Sequence, residues 1–505
     1  MPMRNFYILA ITLTLFQLTV AQTVNDVTMF LSEELNGSAR YNSMAGAFGA
    51  LGGDLTAVSI NPAGSSVFLH SEFGGTLNYV NSAIESSYFG SRTNKEDNNL
   101  KFDQIGAMFI FNNTNPDSSW TRLATGINSH RVSKFDQKAR VEGLNTRGID
   151  TYFLYFADGL NFENLPLYEG ETIEEVYRVL GEENGFAAQQ AFLGYQSYII
   201  NPFSFEDGET QYYSNVEYGQ LDHRLDILSK GLHRKTALNF SGLYKNIFHL
   251  GINLNLHKLE YHSDQSFYET GQYSESPVYN IDFENGLSSF GQGVSVQIGA
   301  IVRLKNLRLG LTYDSPQFLE ISDQTKQKVS SFYIDQGFVV KETIDPNIIN
   351  SYEAYLINLP SKTTLSAAYV FGGKGLLSLD YGIQNAANTV LSRNGGSGYL
   401  DNLTSSLPDT FGSIQTIKVG GEYRFNDISL RAGILNRNNA QKSVSTSDHA
   451  FTFGLGLDFG SNTLSLSFVQ LNNTKKFNMF SEGLTDPYIL SNNISQVSLS
   501  YNIKL

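Results

Sequence analysis

Along much of this chain, one apolar residue alternates with one small or polar residue. In the run 451–459, Phe451, Phe453, Leu455, Leu457 and Phe459 fall on one side. Thr452, Gly454, Gly456 and Asp458 fall on the other. A period of two places successive side chains on opposite faces of a strand. Many such strands, behind a secretory leader, specify a β-barrel whose outer face meets lipid and whose inner face meets water.

The bulk properties are compatible with this. Of the 505 residues, no run beyond the first twenty-odd reaches the roughly 18 apolar residues of a membrane helix. A mean hydropathy of -0.21 does not oppose a barrel, because only half the residues of each strand need be apolar. The abundant Phe (35), Tyr (28) and Gly (45) suit a soluble all-β protein equally well, so composition alone does not separate the two. A net charge of -14 disfavours nucleic acid as a partner, since phosphate binding needs a basic surface. The absence of cysteine removes disulfides, thiolate metal sites and lipid-modified Cys. Residues 1–21 read as a signal peptide, with Arg4 in the n-region, an apolar stretch from Ile8 to Val20 and a small-residue cleavage site before Gln22. An N-terminal anchor helix is the other reading of that stretch.

Fourteen alternating segments can be marked: 73–92, 102–111, 121–131, 236–244, 247–258, 292–304, 306–314, 362–371, 375–384, 415–425, 428–436, 450–459, 462–470 and 493–505. Every second connection is short, as in Lys245-Asn246, Lys305, Gly372–Lys374, Asn426-Asp427 and Gly460–Asn462; the first of this set, 112–120, is longer. The others are long: 93–101, 132–235, 259–291, 315–361, 385–414, 437–449 and 471–492. Outer-membrane barrels have this asymmetry, with short periplasmic turns and long outer loops. A soluble sandwich has no reason for it. The expected fold is an all-β, 14-stranded antiparallel transmembrane barrel in the outer membrane. Its inward face carries Arg303, Arg308, Asp314, Asp380, Lys418, Glu422, Arg424, Arg431 and Asp458. In the last strand Val497, Leu499, Tyr501, Ile503 and Leu505 share the outer face, a pattern that barrel-assembly machinery reads, although a terminal aromatic is more usual than Leu505.

Residues 37–64 lack alternation and are dominated by small side chains, which permit close packing in a narrow space. Asn61-Pro62 favours a turn, and Gly64 frees the chain to enter the first strand. A partly helical plug fits, because an empty barrel of this size would be an open pore. Gly49 and Gly52-Gly53 lack the strand, the Lys-Ser/Thr and the βαβ context of a phosphate loop.

This segment, from Gly37-Ser-Ala-Arg-Tyr41 through Ala50-Leu-Gly-Gly-Asp54 to Asn61-Pro62-Ala63-Gly64, resembles the FadL/OmpP1/TodX family of outer-membrane transporters in its Bacteroidetes form. Shorter stretches agree: Gly310–Pro316, Leu359-Pro360, Leu377–Tyr381, Val419–Arg424 and Leu430–Gly433. The resemblance implies a 14-stranded barrel (71–505) closed by an N-terminal hatch (22–70), with Asp54, Asn61, Pro62, Ala63 and Gly64 as its motif. It implies passive uptake of hydrophobic compounds, long-chain fatty acids or hydrocarbons, with lateral release through a gap near the third strand. Here that strand is 121–131, whose alternation is poor: Leu123, Thr125, Ile127, then His130-Arg131. An apolar solute leaving sideways avoids water, where each exposed methylene costs about 0.8 kcal/mol.

The 132–235 connection is too long to lack structure of its own. Thr172-Ile-Glu-Glu175 matches a capping box, followed by Ile173, Val176, Tyr177 and Leu180 at helical spacing. A second helix is expected from Phe186 to Ile199, with Phe192, Tyr195 and Ile199 on one stripe. These helices form either a cap packed on its neighbours or an aromatic platform for substrate. No catalytic chemistry is expected. The eight His show no metal-ligand spacing, no Gly-x-Ser-x-Gly elbow occurs, and no cofactor or metal is implied. The partners expected are a hydrophobic small molecule, outer-membrane lipid, the assembly machinery during biogenesis and other outer-membrane proteins. The alternative function is a structural or interaction barrel within an outer-membrane secretion or assembly complex, since fold does not fix function. Porphyrin binding is a weaker third reading.

Overall fold

The computed structural model describes residues 24–216, 219–271, 277–393, 396 and 398–505. The expected signal peptide, 1–21, lies outside them. Fourteen antiparallel strands close into one barrel: β1 (Glu72–Tyr88), β2 (Ser91–Asn112), β3 (Trp120–Lys134, continued by Gln137–Asn145), β4 (Leu221–Tyr244), β5 (Phe248–Gly271), β6 (Val278–Leu304), β7 (Leu307–Asp314, continued by Gln317–Asp335), β8 (Tyr355–Leu359, continued by Lys362–Val370), β9 (Gly375–Asn385), β10 (Ser413–Phe425), β11 (Ile428–Arg437), β12 (Asp448–Asp458), β13 (Asn462–Asn478) and β14 (Pro487–Lys504). Each strand pairs with its sequence neighbours, and β14 closes on β1 in a register that sets Thr76 opposite Ser500.

The side chains are distributed inside out. On β12, Phe451, Phe453 and Leu455 are about half exposed, whereas Thr452 between them is fully buried. Asn78, Asn239, Asn253, Gln297 and Ser498 are likewise buried at inward positions. On β5 the apolar set Leu250, Ile252, Leu254 and Leu256 lies outside. No water-soluble monomer exposes so large a continuous apolar belt. Against hydrocarbon, a closed barrel is one of the two structures that satisfy every backbone polar group. The belt therefore faces the outer-membrane lipid. The expected terminal stripe, Val497 to Leu505, is part of it.

The short turns are as expected. Lys245 and Asn246 both take positive φ (50° and 59°), the backbone of the tight hairpin that matches strand twist. The strands, however, reach much further toward the loop side than the alternation showed. Residues 93–101, expected as a connection, belong to β2, which joins β1 through Phe89-Gly90 alone. Residues 132–134, 137–145 and 221–235, expected within the long loop, are strand, as are most of 259–291, 317–335 and 471–492. At ~3.3 Å per residue and a tilt near ~40°, about ten residues cross the ~25 Å apolar band. Beyond that band both faces are wet or covered by loops, so a stretch such as Ser91-Arg-Thr-Asn-Lys-Glu-Asp97 carries no apolar period.

The long outer loop is therefore 146–220, and it is helical. It holds α3 (Asp150–Ala157), α4 (Ile173–Glu183) and α5 (Gly185–Gln196). These follow α1 (Val24–Phe30) and α2 (Ala39–Ser43) of the N-terminal segment, and α6 (Gly398–Thr410) lies in a later loop. The Thr172–Glu175 capping box is present in both directions. Phe192, Tyr177 and Ile199 are buried, so the helices pack as a cap on the upper wall. Tyr152 packs near Phe283 of that wall and Phe480 of the β13–β14 connection, with ring centroids 5.7 and 5.1 Å away. The short α3, with no side-chain cap, and α6, with Pro408 inside it, lack the signals that reveal a helix in sequence.

Replacing the lipid-facing Phe453 by Arg should destabilise the folded barrel by about 2–4 kcal/mol, the cost of a cation near the bilayer midplane. Urea titration of barrels folded into vesicles measures it. Unchanged stability would mean that this face does not meet lipid.

Candidate functional site: the lumen segment and a break in the wall

Residues 24–68 pack against inward-facing positions of strands around the barrel. Small side chains on both partners make the approach possible. A Cβ on Gly251 would come within 2.4 Å of the Pro62 carbonyl carbon, one on Gly310 within 2.4 Å of Gly49 O, and one on Gly433 within 2.5 Å of the Met44 carbonyl carbon. These glycines belong to β5, β7 and β11, so backbone lies on backbone around the lumen. Within the segment, Gly52 takes φ 62° and packs against Gly64, where a Cβ would stand 2.9 Å from Gly52 Cα.

The five motif residues are all in this segment. Asp54 accepts from Ser38 Oγ (2.6 Å) and from Thr56 N (2.9 Å), drawing two distant parts of the chain together. Asn61 caps the short helix Pro62–Val67, accepting from Ala63 N at 3.1 Å. Its amide donates to Gly49 O (2.7 Å) and to Ala300 O of β6 (3.2 Å). Pro62 stands at the first helical position, where no backbone N–H is needed. Its carbonyl accepts from Asn239 Nδ2 at 3.0 Å. Ala63 and Gly64 are both buried.

Wall charges hold the segment. Glu422, fully buried, pairs with Arg40 of the segment (2.9 Å) and with the wall residues Arg431 (2.8 Å) and Arg424 (2.9 Å). Burial alone would lower the Arg40 pKa, but Glu422 outweighs it and raises it. Arg308 donates to Leu51 O (2.8 Å) and Arg122 to Phe68 O (2.8 Å). Of the inward charges read from sequence, Arg308, Asp380, Glu422 and Arg431 bear on this interface, whereas Arg303 and Asp458 stand exposed, Asp458 paired to Lys504. Arg40, Arg122 and the Asn239–Asn253–Gln297 row were not singled out. The row was visible as the polar half of three alternating strands. Nothing in sequence shows which polar side chain meets the segment and which meets water.

Beside Ser59 and Ile60 the lumen keeps a cavity of about 90 Å³, lined also by Glu33, His130, Lys235, Asp314, Lys362 and Lys418 among others. It adjoins one of about 60 Å³ that shares Glu33 and Lys362 and reaches Arg437 and Lys475. Glu33 pairs with Lys362 at 2.5 Å. Burial would push its carboxyl up, but Lys362, with Arg437 behind it, holds it well below the usual carboxylate range. Charged side chains line both spaces.

Above this level the β2–β3 ladder stops, and the upper part of β3 packs on the β1–β2 hairpin instead, Arg140 O accepting from the Ser86 and Thr93 hydroxyls and Gly143 lying against Tyr88. The β2–β3 ladder runs from Asn112 opposite Arg122 to Gln104 opposite His130 and ends there. β3 carries register shifts at Trp120/Arg122 and Arg131/Ser133, which account for its poor alternation. Its upper part, Gln137–Asn145, pairs with β4. Residues 91–102 of β2 pair with β1. Gly231 of β4, at φ 135°, faces the break and accepts from Phe135 N at 3.0 Å. Ion pairs join the two strands where the ladder ends: Arg131 with Asp103 at 3.0 Å, almost wholly buried, and Lys101 with Asp136. Arg234 donates to the carbonyls of Phe102 and Asp103 at 3.3 and 3.4 Å.

No family model matches the chain, and no curated protein matches it. Solved structures do. A FadL homologue from Pseudomonas aeruginosa aligns with a TM-score of 0.55 at 10% identity, covering 94% of this chain and 99% of that one. The toluene transporter TodX of Pseudomonas putida aligns at 0.49 and 13% identity, over 94% and 99%. The toluene transporter TbuX of Ralstonia pickettii aligns at 0.48 and 11%, over 93% and 99%. The chain thus has the FadL-type barrel fold.

Gly433→Val should loosen the lumen segment, because its side chain meets the Met44–Ala45 backbone and overpacking costs about 1–3 kcal/mol. Single-barrel conductance in planar bilayers should rise above that of the parent. Gly373→Val, at a glycine with open space around it, should not change it.

Proposed function

We propose that this chain is an outer-membrane transporter for passive uptake of hydrophobic compounds, long-chain fatty acids or hydrocarbons. In this reading residues 24–71 act as a hatch and the break beside β3 is a lateral exit. The observation that carries it is the combination of a lumen blocked by the chain's own leading segment with a wall whose hydrogen-bonded ladder stops at Gln104/His130. A pore for water-soluble solutes gains nothing from a side opening toward lipid. An apolar solute gains the whole transfer free energy that a return to water would cost. The FadL-type fold supports the same reading.

The exit is narrow and charged as it stands. Asp103–Arg131 and Lys101–Asp136 tie β2 to β3 across it. A solute passing sideways must part at least the outer of these pairs, which lies nearer water and is therefore the weaker tie. Bulged, singly paired strand is the part of a barrel wall that can yield, because few ladder hydrogen bonds hold it.

Uptake of radiolabelled oleate and of naphthalene by cells producing the protein, against cells lacking it, tests the reading. Lys101→Cys with Asp136→Cys, joined by a short reducible linker, should bring uptake down to the background of cells without the protein, and reduction should restore it. Undiminished uptake in the linked form would remove the lateral exit. No uptake by the parent protein would remove the transport reading itself.

A further inference from the structure

Elsewhere on the lumen wall guanidinium groups meet carboxylates. Arg131 has Asp103, Arg437 has Asp448, and Arg424 and Arg431 share Glu422. The periplasmic ends of β3 to β7 differ. Segments 120–130, 236–257 and 293–313 contain no Asp or Glu but hold Arg122, Lys245, Arg303, Lys305 and Arg308. Arg303 stands directly opposite Arg308 in the β6–β7 ladder. Like charges so placed destabilise a sheet. Arg122 of β3 and His249 of β5 complete the group, and the charge of Arg303 reaches both of them and Arg308. Two of the three guanidinium groups hold the lumen segment by single nitrogens. Arg122 Nη1 donates to Ser66 O and Phe68 O, and Arg308 Nη1 to Leu51 O. Arg122 Nε donates to Asn112 Oδ1 at 2.9 Å, and the His249 ring meets Ser66 Oγ at 2.7 Å. The Nη2 groups of both arginines stay available, and Arg303 is exposed at the mouth.

We propose that this half of the periplasmic mouth is a phosphate site: Arg303 and Arg308, with Arg122 and His249 beside them, hold a phosphate group presented from the periplasm. Guanidinium groups bind phosphate through paired, charge-assisted N–H bonds, and a phosphate group has enough oxygens to serve several of them at once. Set between Arg303 and Arg308, such an anion turns an opposed pair of like charges into an attractive triplet. Lysines at the same mouth, Lys245 and Lys305, add to the positive field that draws it in. The opposite half of the mouth offers no such place, because its cations are matched: Lys504 by Asp458, Arg424 and Arg431 by Glu422. The phosphate comes either from a soluble periplasmic compound or from the headgroup of an inner-leaflet lipid. The site lies on the periplasmic side of the lumen segment, away from the β2–β3 break, and does not depend on the uptake reading.

Titration calorimetry with inorganic phosphate, on the full-length protein in a non-ionic detergent at constant ionic strength, reads the binding. The parent should bind phosphate saturably, and chloride should not compete. Arg303→Gln should weaken binding about tenfold or more, the loss expected for hydrogen bonds to a charged group. That side chain holds no part of the lumen segment, so the fold is kept. Lys374→Gln removes the same charge from an exposed turn elsewhere on the mouth and should leave binding unchanged. The source of the phosphate is read in nanodiscs of phosphatidylcholine with and without phosphatidylglycerol. Equal phosphate binding in both supports a soluble compound. Binding suppressed by phosphatidylglycerol in the parent supports a lipid headgroup. No saturable binding by the parent in detergent, or equal weakening by Arg303→Gln and Lys374→Gln, overturns the proposal and leaves only a hydrated, generally cationic mouth.

Discussion

A backbone that crosses hydrocarbon must pair every N–H and C=O within itself, and the rest of this structure follows from how the chain meets that demand. Pairing β14 back onto β1 removes the free edges. Closure then divides each strand into a lipid half and a lumen half. The lumen half is free to be polar, small or charged, because it never meets lipid. Glycines at 251, 310 and 433 use that freedom to let a second layer of backbone lie directly on the wall. Polar rows such as Asn239, Asn253 and Gln297 use it to satisfy that layer, with Asn253 donating to Val58 O at 2.8 Å and Gln297 to Ser59 O at 3.1 Å.

Charge buried in such a lumen must be matched where it stands. Glu422 is fully buried, and one carboxylate serves three guanidinium groups, one of them from the lumen segment. Removing one partner of such a set leaves uncompensated charge in a poorly solvated place, which costs far more than the pair itself contributes. The segment is therefore registered on the wall electrostatically at one end and sterically along the rest. Where the lumen segment leaves these ties, at residues 24–31, its attachment changes from ion pairs and backbone contact to apolar packing against Phe135 and Tyr261.

The strand number, the sidedness of the loops and the small-residue segment were legible before any coordinates. Each is a local pattern: alternation, a run of turn residues, or a stretch of Gly, Ala and Ser. The capping box at Thr172 was legible for the same reason. The upper strand extensions were not, because 91–99 and 137–145, beyond the apolar band, carry no apolar period. α6 was hidden by Pro408. The Glu422 pairs were half legible: Glu422 and Arg431 stood out as inward charges, but Arg40 lies 382 residues away from its partner.

The sequence by itself determined the barrel and its inside-out polarity, since period-two alternation is a property of neighbours along the chain. Only the tertiary structure decided where the β2–β3 ladder stops, which charges grip the lumen segment and what packs around Phe30. Those depend on register between strands far apart in the chain. A break in pairing at Gln104/His130, or Phe30 resting on Phe135, is a relation between distant residues that no local pattern encodes.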